Sequence, residues 1–413
     1  MKEEILSHLN DPRQLEKLYR SNKLPFKREF GLLYPELKGN VIADFWNERL
    51  SYENEEISWG TGKDLLFVVI ASLVAGLIAK MPALLSISED YFYPRNIGFI
   101  IFPALFAYFA WKNNLSTGKI ALIFGLTIIG LIYINVLPDN EKSDTLILAC
   151  IHLVSFLWAI LGFAFVGGFN NNEKRLGYLK YNGDLVVMTT LILIAGGIMT
   201  GITIGLFSLL GFNIEQFYFQ NVVVFGLPAA PILGTYLIQA NPHLVGKVSP
   251  VIAGIFSPLV LVMLLVYLAA MVYSGKDPYN DREFLMIFNA LLIGVMAIIF
   301  FSVAETSRTQ KSGPAIWILF LLSVVTLIVN GIALSAILFR ISEWGVTPNR
   351  VAVLGANVLM LVNLMLVSKQ LLNTVSKKSD ISGVGEIISA YLPVYVLWSI
   401  IVTFVFPLLF GFK

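Results

Sequence analysis

The chain predicts an all-α polytopic membrane bundle, and three observations carry that reading. Of its 413 residues 57% are hydrophobic and 14% charged, and the mean hydropathy is +0.76, whereas soluble domains carry about a quarter charged residues. Mainly apolar stretches of about 17–25 residues recur from Leu65 onward, the length a helix needs to cross roughly 30 Å of hydrocarbon. The first 60 residues differ from the rest, with 9 Lys/Arg and 11 Asp/Glu and no apolar run of crossing length.

That opening segment, residues 1–60, predicts a small helical cytoplasmic domain able to bind a protein partner. Asp11-Pro12 reads as an N-cap with proline in the first turn, beginning a helix through Leu15, Leu18 and Tyr19. Pro35 is expected to open another, through Val41, Ile42, Phe45 and Trp46. The first apolar stretch lies too far from Met1 for a cleavable leader to be expected.

Eleven spans follow, at about 65–85, 97–111, 119–137, 145–169, 185–212, 222–240, 247–274, 284–304, 314–339, 350–368 and 387–411. The second holds Pro103, the sixth Pro228 and Pro231, and the seventh Pro250 and Pro258, so kinked or broken helices are expected there. With a cytoplasmic amino terminus, the inner loops carry 11 Lys/Arg, among them Lys112, Lys119, Lys247, Arg308 and Lys311, against five acids. The outer loops carry seven Lys/Arg against ten acids, including Glu89, Asp90, Asp139, Glu141, Asp144, Asp277 and Asp281. This satisfies the positive-inside rule and places Lys413 outside.

An internal repeat organises the spans. Asp64-Leu65, Leu73, Ala75, Gly76 and Ile78 match Asp184-Leu185, Leu193, Ala195, Gly196 and Ile198; Glu89, Tyr91-Phe92-Tyr93, Asn96 and Pro103 match Glu215, Phe217-Tyr218-Phe219, Asn221 and Pro228. Leu115 to Gly118-Lys119 then matches Leu244 to Gly246-Lys247, and Ile87-Ser88-Glu89 with Pro94 recurs as Ile341-Ser342-Glu343 with Pro348. The order predicts parallel copies of four, four and three helices, at 61–183, 184–312 and 313–413. Shared loop grammar in apolar sequence is the competing explanation.

The chemistry-bearing residues are few. One cysteine, Cys150, and three scattered histidines, His8, His152 and His243, exclude a disulfide framework and any sequence-local metal site. A net charge of +2 without a dense basic run gives no case for nucleic acid. HExxH, G-x-S-x-G and strand-linked G-x-G-x-x-G are absent, and Trp59-Gly60-Thr61-Gly62-Lys63-Asp64 lacks the spacer and Ser/Thr of a phosphate loop. Neither a catalytic residue nor a cofactor is expected.

Within the spans only Lys80 and His152 are ionisable, so no buried carboxylate is expected for proton coupling. Lys80 reads as snorkelling to the interface, and His152 either as a packing histidine or as a proton-accepting site. Neutral polar residues in the spans include Asn289, Asn330, Asn357, Asn363, Thr189, Thr190 and Ser155, and an asparagine can ligate a solute or join helices. Gly197, Gly201 and Gly205 form a small-residue ladder, for packing within the subunit or between subunits. Glu89, Glu215 and Glu343 would share one outer face and gather a cation, unless each merely serves a helix amino terminus. Arg340 and Arg350 oppose the outer charge bias, so Arg350 is expected to pair with Glu343 or to meet an anionic headgroup or solute.

The run Arg340-Ile-Ser-Glu-Trp-Gly-Val-Thr-Pro-Asn-Arg350, followed by an apolar helix with Asn357 and Asn363, resembles the bacterial multi-pass membrane proteins of the domain of unknown function 4153 family. The resemblance covers about the last quarter and implies a bacterial inner membrane; it supplies no activity, substrate or site. Two functions compete on the sequence: a transporter or permease-like protein for a small solute, ion or lipid, and a non-transporting scaffold or sensor whose amino-terminal domain binds a cytoplasmic partner.

Overall fold

The computed structural model describes residues 2–21, 23–52, 61–140, 142–168, 171–209, 212–274, 279, 282–309, 313–378 and 380–413. Its 16 helices make an all-α polytopic bundle, with no strand among the described residues. The chain divides into two compact units, Met1–Ser58 and Trp59–Lys413.

The first unit holds α1 (Lys2–Ser7), α2 (Pro12–Ser21), α3 (Lys23–Leu37) and α4 (Val41–Tyr52). Asp11 caps α2, its carboxylate accepting from the Arg13 and Gln14 amides at 3.0 and 3.2 Å. Pro35 lies inside α3 and opens no helix. Asn40 starts α4 instead, accepting from the Ile42 and Ala43 amides, because a capping side chain supplies what a proline cannot. Trp46, 2% exposed, sits in an aromatic cluster with Tyr19, Phe26 and Phe30. Arg49 lies over the Tyr19 and Trp46 rings and bridges to Glu16 at 2.6 Å. Partial desolvation pushes the Glu16 carboxyl up, but hydrogen bonds and charge from Arg20 and Arg49 outweigh it and hold the group below the usual carboxylate range.

The second unit comprises α5 (Gly62–Ala79), α6 (Met81–Leu85), α7 (Glu89–Lys112), α8 (Thr117–Val136), α9 (Asp144–Val166) and α10 (Asn172–Leu209). They are followed by α11 (Glu215–Ala240), α12 (Pro242–Ser274), α13 (Arg282–Thr309), α14 (Gly313–Trp344), α15 (Pro348–Val375) and α16 (Ser382–Leu409). Ten of these, among the described residues, are long and apolar enough to cross a membrane. Helix α7, the second expected span, has 24 residues but carries Glu89, Asp90, Arg95 and Lys112, which lower its hydropathy. α7 and α11 continue through Pro94, Pro103, Pro228 and Pro231. The backbone irregularities lie elsewhere, as π turns at Phe219–Val223 in α11 and Ile401–Val405 in α16. An i→i+5 turn inserts a residue into the helical ladder, and such turns cluster at functional sites.

Cross-links sort the helix ends into two levels. At one level Lys112 bridges Asp64 at 2.6 Å, Lys180 bridges Glu305 at 2.8 Å, and Asn113 donates to the Ala164 and Phe165 carbonyls. At the other, Arg95 bridges Asp139 at 3.1 Å, Asn96 and Asn135 exchange amide hydrogen bonds, and the Thr145 amide donates to the Lys413 carbonyl. Successive long helices therefore run in alternating directions.

Two large apolar cores fill most of the unit, with a smaller cluster of Leu148, Ala352, Val402 and Phe406 where α9, α15 and α16 meet. One draws on α5, α7, α8, α9 and α11 and includes Tyr178 and Tyr181 at the start of α10. The other is built from α12, α13, α14, α15 and α16 and includes Leu179. Neighbouring residues of α10 thus face opposite cores, and Trp158 of α9 packs against both.

Candidate functional site

Between the two cores lies a cavity of about 730 Å³, a size that accommodates a small organic ligand. His152, Ser155 and Trp158 of α9, Asn182, Gly183 and Val186 of α10, Phe256 of α12, Ile293 of α13, Met360 of α15, and Tyr395, Trp398 and Ser399 of α16 contribute to its wall. No lining residue among those described carries a formal charge with His152 neutral. Val186, Phe256 and Ile293 are 66%, 51% and 60% exposed, so the cavity opens sideways between α10, α12 and α13.

The local chemistry of the wall follows from its hydrogen bonds. His152 Nδ1 lies 2.9 Å from the Leu148 carbonyl one turn back; a carbonyl only accepts, so in the neutral ring the proton is on Nδ1 and Nε2 is an acceptor. Trp158 Nε1 donates to Asn182 Oδ1 at 2.9 Å, Asn182 Nδ2 to the Tyr178 carbonyl, and the Tyr178 hydroxyl back to the Trp158 carbonyl at 2.7 Å. That closed network fixes the α9–α10 wall. On the opposite wall Asn363 Nδ2 donates to the Tyr395 hydroxyl at 3.0 Å. Trp398 lies against Gly355, where an added Cβ would collide with the indole; at Gly183 it would collide with Phe301. Both glycines permit an aromatic ring to approach the neighbouring backbone.

Of the residues singled out from sequence, His152 and Ser155 line this cavity. Asn289 and Asn357 bond to each other, Asn357 Nδ2 donating at 2.9 Å. Asn330 is fully buried on α14, and neither of its amide atoms has a partner among the described residues. Glu89 and Glu215 are the exposed first residues of α7 and α11, whereas Glu343 is exposed in the last turn of α14. Glu343 therefore sits at a helix carboxyl end, in a local setting unlike that of the other two. Arg350 makes no bridge to Glu343: it donates to the Trp344 and Gly345 carbonyls at 2.8 and 2.6 Å, because the end of α14 offers unsatisfied acceptors at shorter reach. Arg340 donates to the Tyr279 carbonyl and, like Arg350, lies over the Trp344 ring.

Charge is also buried where the sequence showed none. Asp64, Asp184 and Glu305 are 6%, 5% and 1% exposed, because the helices extend beyond their apolar stretches and pack their polar ends against protein partners. Lys80, expected at the interface, donates to Asn221 in the π turn of α11. Nothing among the described residues lies within 4 Å of a Cβ built at Gly197, Gly201 or Gly205, so no described helix packs closely on the ladder. Glu141, Asp277, Asp281 and Lys311 lie outside the described residues.

The missed wall residues, Asn182, Tyr395, Trp398 and Ser399, carry no spacing signal; each looks like ordinary helix filling until α9, α10 and α16 are brought together. No family model, curated protein or solved structure matches the chain.

Proposed function

We propose that the protein is a permease-like protein of the bacterial inner membrane, with no catalytic role, whose solute site is the cavity between the two helical cores. The observation that carries this is an uncharged cavity of about 730 Å³, walled by six membrane helices and open sideways. Such a site at the junction of two packed bodies is where a rocking motion would change access. The amino-terminal unit would then be cytoplasmic and Lys413 outside, in keeping with the loop charges. Parallel repeats belong to the same proposal, supported by the aligned Asn96 and Asn221, each of which donates to the carbonyl one turn back on its own helix.

Two-sided accessibility tests this reading. With Cys150 replaced by serine, Ser399→Cys is exposed to a membrane-impermeant thiosulfonate from each face of oriented vesicles. A permease gives modification from both faces. Modification from neither face removes the permease reading and leaves a scaffold or sensor. That second reading has its own support: the amino-terminal unit has a complete core yet leaves Leu32, Val41 and Phe45 exposed for a cytoplasmic partner.

A further inference from the structure

We infer that the cavity takes an uncharged lipid-like molecule bearing a hydroxyl, which His152 reads as a donor; this names a substrate class for the site just proposed and rests on that reading. The cavity wall is mostly apolar and, among the described residues, holds no counter-charge. An ammonium, carboxylate or phosphate would lose its hydration there without compensation. The sideways opening meets acyl chains, so a ligand can enter from the bilayer without crossing water.

Once the protein's own bonds are assigned, His152 Nε2, the Tyr395 hydroxyl hydrogen and the buried Trp398 Nε1 are polar points of the wall without a protein partner among the described residues. His152 Nε2 accepts and has no protein partner among the described residues, since Nδ1 is engaged by Leu148. The Tyr395 oxygen already accepts from Asn363, so its hydrogen is free to donate. Their order along the membrane normal follows from the helix register. His152 is the ninth residue of α9, about 12 Å from its start at 1.5 Å per residue. α16 reaches the same level at its end, where Ser143 donates to the Phe412 carbonyl; Tyr395 is the fifteenth residue back from Leu409, about 21 Å deep on the same scale. A donor-seeking point therefore lies above an acceptor-seeking one, with Ser155 and Ser399 at intermediate depth. A hydroxyl satisfies the first point and an ester carbonyl the second; both occur together in neutral acylglycerols. A hydrocarbon satisfies neither.

The test uses the full-length protein in lipid nanodiscs and tryptophan quenching by bromododecanoyl monoglyceride, by its dimethyl ether, and by bromododecanoate. Trp158 and Trp398 in the cavity wall report occupancy, and Trp158→Phe with Trp398→Phe shows how much of the signal is theirs. Saturable quenching by the monoglyceride is expected, with about tenfold weaker quenching by the ether, the ratio one buried hydrogen bond provides, and weaker still by the carboxylate. His152→Leu is expected to abolish the preference for hydroxyl over ether while retaining binding, and Tyr395→Phe to weaken both neutral probes alike. Equal affinity for monoglyceride and ether in the unaltered protein, or preference for the carboxylate, overturns the class assignment and leaves the cavity a binding site. Absence of saturable quenching by every probe overturns the cavity's role altogether.

Discussion

Asn363 donates to the Tyr395 hydroxyl across 3.0 Å, linking the middle of α15 to a wall of the cavity. The bond has a direction, and that direction gives the phenol its remaining capacity to donate. Asn363 is itself fully buried, and its Oδ1 has no partner among the described residues. Removing the acceptor from this pair therefore leaves a whole amide without a described partner in an apolar interior.

Tyr395→Phe is accordingly expected to cost about 1–2 kcal/mol, read as a lower unfolding temperature in detergent. Asn363→Leu, which removes the buried amide instead of orphaning it, is expected to cost less. The reverse ranking would mean that the bond contributes little and that the leucine does not fit.

Asp64 and Lys112 offer a second test, since Asp64 is buried while Lys112 is partly exposed. Asp64→Asn and Lys112→Met are each expected to destabilise by about 1–2 kcal/mol. The double variant should lose less than the sum of the two. Strict additivity in a double-mutant cycle would show that the pair is not coupled.

The amino-terminal unit should respond to acid through Glu16. Its carboxyl is held below the ordinary range by Arg20 and Arg49, so the folded form binds its proton less readily than the unfolded chain. This contribution is present above the ordinary glutamate range and is lost as pH falls through the lowered folded value. Glu16→Gln should flatten that acid-side loss, worth about 0.5–1 kcal/mol for a partly exposed pair, in hydrogen exchange of Trp46 and its neighbours.

Glycines should divide by environment. Gly201→Leu is expected to leave subunit stability within about 0.5 kcal/mol, because nothing described lies near its position. Gly355→Ala displaces Trp398 and is expected to cost about 1–3 kcal/mol. Any loss of an oligomer in Gly201→Leu, seen by native mass spectrometry at unchanged unfolding temperature, assigns the ladder to a contact between subunits.

Much of the architecture was legible because the bilayer imposes length and composition on each helix. The runs from Leu65 to the last span, the cap at Asp11 and the helical opening segment all follow from local rules. Local rules also explain what was misjudged. Pro35 looked like a helix start, but Asn40 had the better cap. Arg350 looked destined for Glu343, yet the carbonyls ending α14 were nearer. Asp64, Asp184 and Glu305 fell outside the apolar windows, although their helices did not end there. The cavity was illegible for a different reason: His152, Asn182 and Tyr395 become neighbours of one space only through packing of α9, α10 and α16.

Helix α10 has 38 residues, about 57 Å of helix, and none of its most apolar window is buried. Its apolar part, from Leu185 onward, exceeds roughly 30 Å of hydrocarbon, so a thinner bilayer must tilt it further and a thicker one bring it upright. Val186 on that helix forms one edge of the sideways opening. If the cavity is the solute site proposed above, bilayer thickness would act as a mechanical input on the width of its mouth, and the surrounding lipid would bear on access as well as serve as solvent.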